Sequence, residues 1–255
     1  MDEPKLLKKY LPLILLFAGI LILVGAFLFV RGRKDKEAEV PEEETALLDV
    51  PIGERPVVSL TPTSDGHYLN LKVEKVSFEA FNLEYLLLYD VPGGSPQGVP
   101  GTLLLNGQGE LEAELLLGSE SSGKFRYDEG VEKGAITLRF RNEEGQLLAK
   151  FESEFHLQTS TDLLISPDAV FKYELAEEND EFFVTMSSVG LPDGFEGEVD
   201  SGPYGIFTSS EDEVSGTVDA GFDNVYLWDG KEWKQLTDNS ASDVGIFLGS
   251  SIEGN

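Results

Sequence analysis

The chain has 255 residues, contains no cysteine and carries a formal net charge of −28. The lack of cysteine excludes disulfides, thiol catalysis and metal sites built on cysteine. Residues 1–37 hold seven Lys/Arg against four Asp/Glu, so residues 38–255 hold twelve against 43, a net charge of −31. A surface this acidic repels phosphate backbones, and we expect no nucleic-acid partner.

The first predicted element is a transmembrane helix over residues 10–30, which follows a short tail of residues 1–9. Its sequence, YLPLILLFAGILILVGAFLFV, contains no charge. At about 1.5 Å per residue it spans the roughly 30 Å of bilayer hydrocarbon. The stretch ends in FLFVRGRKDK, without the small-residue exit of a cleaved signal peptide, which favours a retained signal anchor. The lipid bilayer is therefore the first partner that we expect.

The charges that flank this segment leave its orientation open. Three basic residues precede it and four follow it, so the positive-inside rule gives no clear direction. A short N-terminal tail, one helix and a large C-terminal β region are typical of exported, anchored domains. We therefore expect a single-pass protein of the cell membrane with its C-terminal domains outside the cytoplasm. The alternative keeps these domains in the cytoplasm.

Small residues recur at heptad spacing within the apolar segment and indicate a face for a second helix: Ala18, Gly19, Gly25 and Ala26. The alternative is that they only reflect the usual composition of transmembrane helices, because no GxxxG is present. Residues 31–54 follow as a charged linker with Pro41 and Pro51, low in apolar residues and rich in glutamate.

Residues 55–158 show the alternation of a β domain. A strand with Ile136, Leu138 and Phe140 on one face leads through the turn NEEG to a return strand that begins at residue 146. We expect Arg139 and Arg141 to pair with glutamates 152 and 154 across the outer face. His156 lies on that polar face and is expected to be solvated.

About seven strands in roughly 100 residues, with turns every 8–12 residues, predict a β-sandwich over 55–158. The pattern resembles single-pass anchored immunoglobulin-like and fibronectin type III-like proteins of bacterial envelopes. The resemblance covers this region alone, rests on the number and spacing of strands, and has no Cys–Trp–Cys signature. It implies architecture and no functional residues.

Residues 159–255 restart the pattern as a second small β domain. Its sharpest feature is NVYLWDGKEWKQL, where Asp229-Gly230 predicts a type I′ turn with Trp228 opposite Lys231 and Tyr226 opposite Trp233. One face then collects five candidate ligand-binding residues: Tyr226, Trp228, Lys231, Trp233 and Gln235. This face suits a sugar ring or a partner's peptide. The alternative is that it faces the core. The long loop 190–205 is either functional or mobile.

The chain lacks a nucleophile elbow, a phosphate-binding loop, an HExxH motif and a dinucleotide fingerprint. We predict no catalytic residues, no cofactor and no metal site, although the acidic clusters 177–181 and 209–213 leave Ca²⁺ open. The sequence thus predicts an all-β protein with a transmembrane helix and two tandem β-sandwich-like domains.

As a function, this organisation favours a non-catalytic extracytoplasmic binding or structural protein of the envelope. Its expected partner is another envelope protein or a cell-surface glycan. One alternative is a carbohydrate-binding module that uses the aromatic hairpin. Another is a surface hydrolase, in which His67 or His156 would lie beside a serine and an aspartate.

Overall fold

The computed structural model describes residues 47, 49–105, 107–222 and 224–251. Within them the only helical element is a 3-10 turn at Ile52–Glu54, and every other regular element is a β-strand. The all-β prediction is confirmed. No helix among these residues is long and apolar enough to cross a membrane. The tail 1–9, the predicted transmembrane helix 10–30 with its four packing residues, and linker residues 31–46 and 48 lie outside the described residues.

Eighteen strands follow in chain order. The first nine are β1 Val57–Pro62, β2 Tyr68–Glu74, β3 Asn82–Tyr89, β4 Gln97–Leu104, β5 Leu111–Leu116, β6 Gly118–Ser121, β7 Lys124–Tyr127, β8 Lys133–Arg141 and β9 Leu147–Gln158. The second nine are β10 Thr161–Ile165, β11 Lys172–Asn179, β12 Phe183–Ser187, β13 Ser201–Thr208, β14 Gly216–Asp219, β15 Asn224–Trp228, β16 Trp233–Gln235, β17 Ser240–Ala241 and β18 Ile246–Ser250.

A nine-stranded antiparallel sheet organises the described chain, in the order β16-β15-β18-β13-β12-β9-β8-β3-β4. Two smaller sheets accompany it, one of three strands (β1-β2-β5) and one of four (β10-β11-β14-β17). Strands β6 and β7 form a separate two-stranded ribbon. The large sheet therefore contributes strands from both regions of the sequence.

Each small sheet packs on the large sheet over its own apolar core. On β12, Val184 belongs to the core under the three-stranded sheet, and its neighbour Phe183 belongs to the core under the four-stranded sheet. Successive side chains of a strand point to opposite faces. The two cores thus lie on opposite faces of the large sheet at β12, and both side chains are fully buried there.

The large sheet continues across the predicted boundary between residues 158 and 159. Strand β9 pairs with β12, with Phe155 opposite Met186 and Phe183 opposite Gln158. The described residues from 47 onward belong to one compact unit. The two sequence regions thus have separate small sheets and share the large one.

The NEEG hairpin forms between β8 and β9, as predicted, but its cross-strand charge pairs differ. Arg139 lies opposite Lys150, and a register shift after Phe140 displaces Arg141. The Arg141 guanidinium instead binds Glu84 on β3, with Nε 3.0 Å from Oε2. The predicted pairing with glutamates 152 and 154 is therefore wrong, because these glutamates lie further along the hairpin, opposite Thr137 and Ala135.

Candidate functional site

The predicted aromatic hairpin forms between β15 and β16 with a different register. Trp228 lies opposite Trp233 and Tyr226 lies opposite Gln235. The predicted two-residue turn, with Trp228 opposite Lys231, is therefore wrong, and the loop has four residues, 229–232. Asp229 explains this length, because its Oδ1 accepts hydrogen bonds from the backbone N–H groups of residues 231 and 232, both at 3.0 Å.

Four of the five candidate residues still share one face of this hairpin, since opposite and alternate residues point the same way. They are Tyr226, Trp228, Trp233 and Gln235. Lys231 is exposed in the loop instead. The indole rings of Trp228 and Trp233 are 5.7 Å apart at 50°, and both side chains are half-buried.

The long loop 190–200 covers much of this face. Phe195 packs edge-on against Tyr226 and Trp233, with ring centroids 5.2 and 5.4 Å away. The Trp233 indole N–H donates to the carbonyl of Pro192 at 3.4 Å. Tyr226 is consequently only 6% exposed. On this face only part of each tryptophan ring is accessible to a partner, because Tyr226 lies beneath the loop.

Lys75 fastens this loop to the rest of the fold. Its ammonium donates to the carbonyls of Gly53, at 2.7 Å, and Leu191, at 3.0 Å. It also forms an ion pair with Asp193. One side chain thus joins the start of the described chain, the end of β2 and the loop over the aromatic hairpin.

A second site, which the sequence did not predict, contains both histidines of the chain. It is a pocket of about 720 Å³, hereafter the histidine pocket. Three segments line it: the turn 65–67, residues 128–133 before and at the start of β8, and residues 156–159 at the end of β9, together with Thr161, Ile165 and Phe182.

The first wall of the histidine pocket is a short hydrogen-bonded turn. The His67 ring lies 3.1 Å from Asp65, measured from Nδ1 to Oδ2, and stacks on Tyr127 with centroids 3.8 Å apart. Asp65 Oδ1 accepts from the Thr63 hydroxyl, at 2.6 Å, and from the His67 backbone N–H, at 3.0 Å. The Thr63 hydroxyl, followed by the backbone N–H, lowers the pKa of Asp65.

Backbone hydrogen bonds tie this wall to the next one. The Leu117 N–H donates to the carbonyl of His67, and the Leu117 carbonyl accepts from the N–H of Asp128, at 2.8 and 3.0 Å. The Asp128 carboxylate accepts a hydrogen bond from the hydroxyl of Tyr89 at 2.9 Å. Burial, followed by this hydrogen bond, raises the pKa of Tyr89 well above its usual range.

The third wall comes from the β8–β9 hairpin. Lys133 lies opposite His156, and the Leu157 N–H donates to the carbonyl of Glu132 at 2.8 Å. His156 is half-buried, with Nδ1 2.8 Å from the carbonyl of Ile165. A carbonyl only accepts, so Nδ1 carries the hydrogen and Nε2 is the nitrogen available to a ligand. The expectation of a solvated His156 is therefore wrong, because β10 folds back over the outer face of β9.

The lining of the histidine pocket is apolar below and acidic at its rim. Val131 and Leu157 are buried, and Phe182 is half-buried. Four carboxylates line the pocket against a single ammonium, that of Lys133: Asp65, Asp128, Glu129 and Glu132. The Lys133 ammonium also lies 3.3 Å from Asp90.

The hydrogen bonds that a Ser-His-Asp triad requires are incomplete at both histidines. His67 has an aspartate partner, but no hydrogen bond joins either histidine to a serine within the residues that the structure describes. Over the same residues, no group of three or more His, Asp or Glu side chains is arranged to hold a metal ion. The lining itself offers apolar contact, charge and hydrogen-bonding groups.

No protein-family model matches the sequence, and no significant match is found among curated proteins.

Proposed function

We propose that this chain is a single-pass membrane protein that presents its β unit outside the cytoplasm as a non-catalytic binding or structural module of the envelope. The uncharged segment 10–30 supports the anchor, because its length and hydropathy are those of a bilayer-spanning helix. The charged linker after it supports a unit that is kept clear of anionic lipid, since residues 38–255 carry a net charge of −31.

The histidine pocket is the observation that carries the binding function. Its volume of about 720 Å³ lies in the range of about 300–1,000 Å³ found for small-molecule sites. It combines an apolar floor with a few polar groups that are fixed by backbone hydrogen bonds. A preformed site of this kind suits a free molecule at the cell surface, or a group displayed by another envelope protein or a cell-surface glycan.

Protease shaving of intact cells tests the location. A tag at the C-terminus is expected to disappear on protease treatment without lysis, while a cytoplasmic marker remains intact. The full chain is expected to stay with carbonate-washed membranes, and deletion of residues 10–30 to release it. Complete protection of the tag in intact cells would overturn the extracytoplasmic assignment.

Native mass spectrometry of the chain extracted from its own membranes tests the binding site. We expect a co-purified mass that Glu132→Trp displaces, because the indole fills the pocket while the backbone bond from Leu157 is kept. Glu143→Trp, in the turn at the opposite end of the same hairpin, is the matched control and is expected to keep the mass. A mass that survives Glu132→Trp unchanged would place the site elsewhere.

The aromatic hairpin supports a second candidate, a carbohydrate-binding module. The observation in its favour is the pair of half-buried indoles at 5.7 Å, a stacking surface of the kind that sugars use. Glycan-array binding that is lost in both Trp228→Ala and Trp233→Ala supports this candidate. Unaltered binding in the two variants would exclude it.

A further inference from the structure

We propose that the ligand of the histidine pocket is an organic cation, a small primary or secondary amine with an apolar body. This inference rests on the proposed binding function and names the chemical class of ligand for the same site. It follows from the charge of the rim, the pairing of its carboxylates and the apolar floor, which are taken in turn below.

The rim of the histidine pocket selects for positive charge. Four carboxylates line it against one ammonium, and that ammonium is already close to Asp90. An anion would therefore meet net repulsion at the entrance, and a cation would meet attraction.

Two of the four carboxylates are free to bind. Asp65 is engaged by Thr63 and His67, and Asp128 by Tyr89. Glu129 and Glu132, in contrast, take part in no side-chain hydrogen bond and no ion pair among the described residues. Both glutamates are exposed at the pocket, so a ligand ammonium reaches them without breaking an existing interaction.

The floor requires an apolar body next to that charge. Val131 and Leu157 are 8% and 5% exposed, and the half-buried Phe182 ring lies beside them in the lining. The His67 ring, which stacks on Tyr127, lines one wall of the pocket. The face of the Phe182 ring attracts an organic cation through a cation–π interaction. A metal ion lacks the apolar part, and no three-ligand group is present among the described residues.

Calorimetric titration of the full chain in phosphatidylcholine nanodiscs tests the inference. Three probes share a phenylethyl body and differ in charge: phenethylammonium, 2-phenylethanol and 3-phenylpropionate, with empty nanodiscs as the blank. We expect phenethylammonium to bind at least tenfold more tightly than 2-phenylethanol and 3-phenylpropionate to show no binding. The double variant Glu129→Gln/Glu132→Gln is expected to lower the affinity for phenethylammonium about tenfold and to leave the affinity for 2-phenylethanol unchanged.

The matched control is Glu143→Gln/Glu144→Gln, which removes the same charge at the other end of the hairpin and is expected to leave the affinity unchanged. If both double variants lower the affinity for phenethylammonium equally, the attraction comes from the acidic surface as a whole. That result would overturn the assignment to the pocket. A third outcome is that 2-phenylethanol or 3-phenylpropionate binds as tightly as the cation and that Glu132→Trp abolishes this binding. That result would overturn the proposed ligand class but would keep the pocket as the binding site. Absence of binding by all three probes would overturn the inference.

Discussion

The imidazole of His67 lies flat on the ring of Tyr127, with centroids 3.8 Å apart and planes 4° from parallel. His67 lies in the turn immediately before β2, and Tyr127 is the last residue of β7. Their contact joins the two-stranded ribbon to the turn before β2, where His67 lines the histidine pocket. Stacked pairs of this kind contribute about 0.5–1.5 kcal/mol beyond the area that they bury.

Removing the Tyr127 ring is expected to destabilise the β unit. Tyr127→Ala should lower the free energy of unfolding by about 1–3 kcal/mol, because the stack and part of its apolar area are lost. Tyr127→Phe keeps the stacked ring and should stay within about 0.5 kcal/mol of the parent. Urea denaturation followed by tryptophan fluorescence measures both. Equal losses in the two variants would contradict a role for the ring stack.

Gly134 is expected to tolerate no side chain. A Cβ there would lie 2.3 Å from the carbonyl oxygen of Leu88 and 2.7 Å from the ring of Phe155. Gly134→Ala should therefore lower the free energy of unfolding by about 1–3 kcal/mol through overpacking. Gly109→Ala is the control, since nothing lies within 4 Å of its Cβ position. Thermal unfolding at a fixed pH compares the two, and an unchanged midpoint in Gly134→Ala would refute the close contact.

The Lys75 ammonium is expected to control the loop over the aromatic hairpin. Lys75→Met keeps the aliphatic stem and removes the bonds to Gly53, Leu191 and Asp193. We expect faster amide hydrogen exchange across 190–200 and a red-shifted tryptophan emission, because the cover over Trp233 loosens. Lys231→Met, in the exposed hairpin loop, is the control. Unchanged exchange in Lys75→Met would show that Phe195 packing alone holds the loop.

Asp168 is expected to make stability depend on pH in acid. Burial raises its pKa, but hydrogen bonds from Ser166, the Val170 N–H and Tyr204 outweigh that and lower it below the ordinary 3.8. A lowered carboxyl pKa stabilises the fold at pH values above the unfolded-state pKa, and this contribution is lost as pH falls through the folded-state pKa.

Asp168→Asn should therefore cost about 1 kcal/mol at pH 7, a modest figure because the exposed carboxylate is screened by solvent. The difference between variant and parent should shrink as the pH falls below about 4. Denaturant titrations between pH 2.5 and 7 measure it. A difference that is constant over this range would mean that the charge of Asp168 contributes nothing.

The all-β class and the β8–β9 hairpin could be predicted because both depend on local signals, a period of two and a turn sequence. The shared nine-stranded sheet could not be predicted, since β9 and β12 are far apart in the chain and their pairing produces no periodic pattern in the sequence. The register of the hairpin at Asp229 could not be predicted either. Its Asp-Gly pair fits a two-residue turn, but two backbone N–H groups bound by the Asp229 carboxylate lengthen the loop.

The histidine pocket was missed for a related reason. His67 and His156 are 89 positions apart in a sequence that surrounds each with ordinary polar residues. They line one pocket only because Leu117 bridges the backbones of His67 and Asp128, and because β10 covers the outer face of β9. The alternation of β9 correctly placed His156 on its outer face, but it carried no information about what covers that face.

The central claim, that ligands bind at the histidine pocket rather than at the aromatic hairpin, can be tested in one NMR titration. The two histidines both line the pocket, and the two tryptophans of the chain both lie on the hairpin. Ring ¹³C labels on histidine and 5-fluorotryptophan thus report the two sites separately by NMR. On titration with phenethylammonium we predict saturable shifts of both histidine signals and stationary fluorine signals. Moving fluorine signals with stationary histidine signals would contradict the account.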